Sequence, residues 1–469
     1  MESEEEKYIM TILGPKSMGP EDICLPYEHL TSDLSSANID HSDDKLPRED
    51  LKLEFKNLSR LRKYPYNSLE NCVQSDTVYT LGHELLYAAD FGVKFVIDTT
   101  PKIFGKDWEK LQKVTEEVGD KISIITGCSG LADSTLDVLA RKKINLTSEQ
   151  FDLQVQKCIN DFTFELNTGY SGLKAGFIGE IVILNLNQIE KARLKAAITV
   201  SKEIGVPVFL SIDDNSEILP DLIDYIIKDL DYDSEKVIIQ MSKLDSSFIS
   251  STSQATVGSS SLASPASHHT SPWNLLSKTR FSICFTQYSR GLSYIAGHWV
   301  ADNFGLEEGK SEDEKLGVGK KMNATSTCRP PQNYQIRSNL PSIYSFLQEI
   351  KLDDPILERL LVSTGISFKS QLLQFGGDGY SSVFEGITQD KYASPIDERI
   401  ISQIFNENPK RIFSYWTKPP VEEVEIPMFT CRWCDDEFLD DGSRPKFEKF
   451  ENTYCSMKCL ADHRKFGFE

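Results

Sequence analysis

The stretch AGFIGEIVILNLNQIEKARLKAAITVSKEIGVPVFLSID, residues 175–213, decides the fold. It opens and closes on short apolar runs, 175–183 and 206–212, that read as strands. Between them Ile189, Ala192, Ala196, Val200 and Ile204 recur at spacings of three and four, which gives a helix one apolar face, and Gly205 then ends that helix. A strand, a crossover helix and a second strand form one unit of a parallel sheet.

Working outward, the same alternation runs from about residue 80 to 245, with further strands expected at 94–99, 122–126 and 237–241. Runs at 281–289 and 356–367 and an opening strand at 23–27 bring the count to eight. A helix over 397–416 would close the structure. The fold class expected is therefore α/β, a (β/α)8 barrel, over residues 1–420. Residues 246–275 are dominated by Ser, Thr and Ala, and residues 306–332 mix charge, Gly and Pro; both read as disordered insertions. Residues 421–427 read as a linker, and 428–469 as a small separate domain.

A chain of 469 residues accommodates one such barrel with an appendage. The net charge of -20 argues against nucleic acid or an anionic membrane as partner, since both attract basic surfaces. With no basic leader before an apolar stretch and no run long enough to span a bilayer, the expected location is the cytoplasm or nucleus. Of ten cysteines, six are scattered singly, and four fall in two pairs near the C-terminus.

Chemistry in such barrels sits at the C-terminal ends of the strands. The segments LPYEHL (25–30), AGFIGEIV, GVPVFLSIDD, VIIQMSKLD, LLVSTGIS, QFGGDGYS (374–381) and NENPKRIF (406–413) resemble the phosphotriesterase family of the amidohydrolase superfamily, and most closely its animal phosphotriesterase-related branch. The resemblance implies two divalent metals that activate a bridging water and polarise an ester or amide. It also implies where their ligands would stand. The His-x-His of the first strand is here Tyr27 and His29, and the bridging carboxylate of the fourth is Glu180. The fifth- and sixth-strand histidines are Ser211 and Lys243, and the eighth-strand aspartate is Gly365, with Thr364 and Ser367 at flanking histidine positions.

Only His29 and Glu180 of six ligands are kept, and seven histidines in the whole chain do not furnish a four-histidine site elsewhere. No metal is expected at the barrel mouth. A buried Glu180 would then need another positive or proton-bearing partner, and Lys243 is the candidate the substitutions suggest. The same lysine would be the nucleophile or base of any new chemistry. The glycines of QFGGDGYS read as a turn, because the spacing does not match a phosphate-binding loop.

Cys431-x2-Cys434, twenty residues, then Cys455-x3-Cys459 is a spacing of soft ligands for one structural zinc, with His463 one helical turn on as an alternative ligand. This tail resembles treble-clef fingers of the MYND and HIT type. The expectation drawn is a catalytically inactive barrel acting as an intracellular protein-binding scaffold. In it the finger recruits a protein partner and the barrel pocket is open to a small-molecule ligand. The alternative is a metal-dependent hydrolase of esters, lactones or amides with a reduced metal site.

Overall fold

The computed structural model describes residues 7–34, 51–63, 65, 68–74, 78–128, 144–212, 218–241, 272–288, 338–388, 395–417, 428–439 and 445–468. The chain divides into two compact units, Met1–Thr417 and Lys418–Glu469.

Eight parallel strands form the first unit: β3 (Ile23–Glu28), β4 (Val93–Asp98), β5 (Ser123–Cys128), β6 (Phe177–Ile183), β7 (Val208–Ile212), β8 (Val237–Met241), β9 (Ser282–Thr286) and β10 (Leu360–Ser363). They lie side by side in chain order. This is the expected (β/α)8 barrel, and each strand falls inside or within two residues of its predicted run. The helix Gln188–Ile204 is capped by Asn187 in a capping box with Glu190, and ends on Gly205 in the left-handed region at φ 75°.

Successive strand residues point to opposite faces, and the core divides accordingly. Val96, Ile124, Ile178, Val208, Ile239 and Val362 pack outward against the helices. Phe95, Ile125, Phe177, Phe209, Ile238 and Leu361 fill the lumen, and burying each such side chain contributes roughly 2 kcal/mol.

The structure departs from expectation at two places. The final helical stretch stops at Phe413, and 414–417 become β11 (Ser414–Thr417), which pairs with β1 (Lys7–Thr11); β1 also pairs with β2 (Gly14–Lys16). The β-forming triplet Tyr-Trp-Thr there finds a partner strand that local pattern could not reveal. Residues 272–276, assigned in part to the first insertion, form the helix Pro272–Leu276. The rest of that insertion and all of 306–332 lie outside the described residues. The small antiparallel sheet and the helix Asn408–Phe413 supply Ile9, Ile412 and Phe413 to the lumen core, with Phe413 meeting Phe177 at 6.1 Å. They plug the end at which the strands begin and leave the opposite end for chemistry.

Closure between β3 and β10 is carried by side chains as well as backbone. Tyr27 N–H donates to Ser363 Oγ at 3.0 Å, and Gly365 N–H donates to the Tyr27 carbonyl at 3.2 Å. The Glu28 carboxylate accepts from the hydroxyls of Ser363 and Thr364 and from the N–H groups of Thr364 and Ile366. Burial raises the Glu28 pKa to about 7 against the pull of those donors.

Candidate active site at the barrel mouth

Tyr27, His29, Glu180 and Ser211 are all fully buried, or within a per cent of it, at the C-terminal half of the barrel. Tyr27 ends in the lumen, its ring 5.3 Å from Phe209 and 5.0 Å from His29. Its phenol donates to Glu180 Oε1 at 2.8 Å. Glu180 therefore has a proton-bearing partner, and that partner is Tyr27; Lys243 lies outside the described residues. Burial lifts the Glu180 pKa to about 7, with the Ser211 and Tyr27 hydroxyls pulling the other way. Burial first, and then the charge of Glu180, push the Tyr27 phenol well above its ordinary value. Tyr27 thus stays protonated and acts as a donor.

The tautomer of His29 follows from its neighbours. Thr99 Oγ1 donates to the Glu28 carbonyl at 3.1 Å and lies 3.3 Å from His29 Nδ1. With the hydroxyl proton so committed, Nδ1 carries the ring proton and Nε2 presents a bare lone pair. Burial lowers the His29 pKa to about 3, so the imidazole is neutral. His29 Nε2 and Glu180 Oε2 have no hydrogen-bond partner among the described residues, although both are buried. Two unpaired acceptors flank one phenol.

The surrounding shell is saturated. Asp98 accepts from Leu30 N–H, Thr100 Oγ1 and Thr126 Oγ1 at 2.9, 2.6 and 3.0 Å. Ser211 Oγ lies 3.5 Å from Gln240 Oε1, a long contact that leaves its hydroxyl able to turn toward Glu180. Gly365 has φ 70°, and a Cβ built there would lie 2.9 Å from Thr286 Cβ. Thr364 and Ser367 face other tasks: Thr364 binds Glu28, and Ser367 N–H donates to Gln371 Oε1. Sequence reading missed Glu28 and Thr99; a buried-strand glutamate beside His29 was the available signal for the first.

A profile described as the phosphotriesterase family matches residues 9–247. The chain belongs to the phosphotriesterase family. A second profile, described as the Vms1-associating treble clef domain, matches residues 428–469, so the treble clef expected there is found under that description rather than as a MYND or HIT finger. N-acetyltaurine hydrolase of Xenopus tropicalis is 24% identical over 416 residues, covering 87% of this chain and 98% of that one. N-acetyltaurine hydrolase of Homo sapiens is also 24% identical, over 415 residues, with the same coverage of 87% and 98%. Among solved structures, a resiniferatoxin-binding protein from Rhodobacter sphaeroides superposes with a TM-score of 0.61 at 17% identity, covering 88% of this chain and 97% of that one. The phosphotriesterase homology protein of Escherichia coli gives 0.50 at 16%, covering 84% and 100%. These relatives correct the expectation of a catalytically inactive scaffold: nearly full-length members of the family at this distance are named as hydrolases.

In the second unit, β12 (Met428–Thr430) pairs with β13 (Glu437–Leu439), and β14 (Phe447–Lys449) with β15 (Asn452–Tyr454), ahead of the helix Met457–Lys465. Each of Cys431, Cys434, Cys455 and Cys459 offers a sulfur, all within 4.8 Å of one another. Burial pushes the Cys431 thiol up, but N–H groups of Cys434, Cys455 and Trp433 bonded to it outweigh that and hold it at about 6. Four thiols so placed suit a structural zinc. His463 is outside this cluster: its Nδ1 pairs with the Tyr454 hydroxyl at 2.8 Å, and its ring lies 5.6 Å from Trp433. Among the described residues no helix is long and apolar enough to cross a membrane.

Proposed function

We propose that this chain hydrolyses a small carboxylic amide, ester or lactone at the barrel mouth, with Glu180 as the group that moves the proton. The observation that carries the reading is the pair of buried, unpaired acceptors, His29 Nε2 and Glu180 Oε2. It is supported by relatives named N-acetyltaurine hydrolase, a name that denotes an amide substrate.

Among the described residues, the donor set does not fit the two-metal centre of the family. Tyr27 keeps its proton, Ser211 is a neutral hydroxyl, and position 365 has no room for an aspartate. One neutral imidazole and one carboxylate remain among the described residues at the inherited positions. A catalytic zinc takes three protein ligands. The chemistry is therefore assigned to the side chains.

With a pKa of about 7, Glu180 is divided between its two forms at neutral pH, the condition under which one carboxyl serves as base and then as acid. As carboxylate it takes a proton from a water whose oxygen attacks the carbonyl carbon. His29 Nε2 accepts that water's other hydrogen and fixes its direction. Tyr27 holds the far carboxylate oxygen in place. Glu180 then gives its proton to the leaving nitrogen or oxygen as the carbon–heteroatom bond breaks, releasing a carboxylic acid with an amine or alcohol.

The test is turnover by the purified full chain of a panel of N-acyl amides that includes N-acetyltaurine, together with simple esters and lactones, followed by mass spectrometry. Glu180→Gln should abolish product formation while leaving the fold intact. A folded wild-type chain that cleaves none of the panel, or activity that survives Glu180→Gln, refutes the reading.

A further inference from the structure

We infer that Tyr27 takes the place of a metal at this mouth: its phenol proton occupies the Glu180 oxygen that a cation would neutralise, and this one side chain keeps the barrel metal-free. The inference rests on the hydrolase reading only for its catalytic consequence; the metal count stands by itself.

Three observations lead there. The phenol meets Glu180 Oε1 at 2.8 Å with both groups fully buried, so the carboxylate charge is offset by a hydrogen bond in place of an ion. The Tyr27 ring fills lumen space between Phe209 and His29, at 5.3 and 5.0 Å. The atoms left over are two acceptors, His29 Nε2 and Glu180 Oε2. A water donating one hydrogen to each would satisfy both and keep its oxygen lone pairs free toward a carbonyl. A bound cation would satisfy the same two atoms, but with a single carboxylate and, among the described residues, no third protein donor. Tyr27 is thus a positioning residue: it acts through Glu180 and makes no bond to substrate.

Exchanging that phenol for an imidazole would put three donors, at positions 27, 29 and 180, around one point. The prediction is a change in metal stoichiometry caused by one residue far from the C-terminal cysteines in sequence.

The experiment is zinc stoichiometry of the full chain after equilibration with Zn2+ and removal of excess, with thermal melting as the check of folding. Wild type should bind one equivalent, lost in Cys455→Ser and retained in Glu180→Gln. Tyr27→His should bind two, and the double variant Tyr27→His with Glu180→Gln should return to one. A second equivalent in wild type that disappears with Glu180→Gln overturns the inference, as does a folded Tyr27→His chain that stays at one. Tyr27→Phe supplies a second readout: if the chain is a hydrolase, removing the phenol donor should lower kcat at least tenfold and move the pH midpoint upward. An unchanged midpoint contradicts the role given to the phenol. Absence of hydrolysis in every variant defeats the proposed function and leaves the metal count standing.

Discussion

Glu28 and Thr364 lie 336 positions apart in the chain and are joined twice, by the Thr364 N–H at 2.9 Å and by its hydroxyl at 2.5 Å. Ser363 Oγ and Ile366 N–H complete the set on the same carboxylate. The first and last barrel strands are thereby stitched through one buried side chain where regular ladder pairing is replaced. The backbone bond from His29 N–H to the Ile366 carbonyl lies beside this stitch, so the seam also orients the candidate site.

Glu28→Ala should therefore cost at least about 3 kcal/mol of unfolding free energy, because it strands several buried donors and each costs on the order of 1–3 kcal/mol. Glu28→Gln keeps one carbonyl oxygen as acceptor and should lose less. Urea denaturation of the two variants measures the difference; equal stability of wild type and Glu28→Ala would show that the seam does not depend on this carboxylate.

The pH behaviour of Glu180 follows from the direction of its shift. Folding raises its pKa from 4.5 to about 7, so the fold disfavours the ionised form. Below the unfolded value both states are protonated and nothing is lost. Stability then falls as pH rises through the window from 4.5 to 7, by up to on the order of 3 kcal/mol above it. Glu180→Gln should accordingly melt above wild type at pH 8, with the gap shrinking toward pH 4. Activity moves the opposite way, since the base must be ionised: wild-type kcat/KM should climb through a midpoint about pH 7. Melting curves that differ by the same amount at both pH values would be inconsistent with this assignment.

The barrel was legible because its strands are short apolar runs and its helices carry one apolar stripe, signals that survive without any knowledge of neighbours. The stretch around Gly205 shows this well, with both strands and the helix end readable from spacing alone. What could not be read depends on partners distant in sequence. The strand Ser414–Thr417 is a strand because Lys7–Thr11 lies beside it. Residue types at positions 27, 29, 180, 211 and 365 were legible, but not that Tyr27 would bond Glu180 across 153 residues, nor that Thr99 would set the His29 tautomer. Counting the missing ligands suggested an inactive scaffold. A count of metal ligands gives no information about side chains able to act without a metal.

The C-terminal cysteines make a prediction separable from the barrel. A segment of this size has little core of its own, and a metal bound only in the folded state supplies its folding energy. Treatment with a strong zinc chelator, or Cys431→Ser, should unfold residues 428–469 and leave the barrel's melting transition in place. Amide hydrogen exchange resolved by segment reports this directly: protection of the helix Met457–Lys465 should vanish while that of Gln188–Ile204 is unchanged. Protection that survives in zinc-free protein would mean that the aromatic packing around His463 holds the unit together.

Restoring an aspartate at position 365 should damage the barrel and not create a ligand. Gly365 sits at φ 70°, a conformation that L side chains adopt at a cost of roughly 1–2 kcal/mol, and its added Cβ would come within 2.9 Å of Thr286 Cβ. Thr286 cannot move away freely, since its hydroxyl donates to the Tyr288 carbonyl at 3.0 Å and accepts from Gln240 at 3.3 Å. Strain, the contact and a new buried carboxylate act together, so Gly365→Asp should lower unfolding free energy by about 3 kcal/mol or more. Gly365→Ala carries the first two costs without the charge and should fall between that variant and wild type. Zinc stoichiometry should stay at one in both. A stable Gly365→Asp chain that takes up a second zinc would show that the mouth is one substitution from metal binding at the eighth strand, and would move the decisive position from Tyr27 to Gly365.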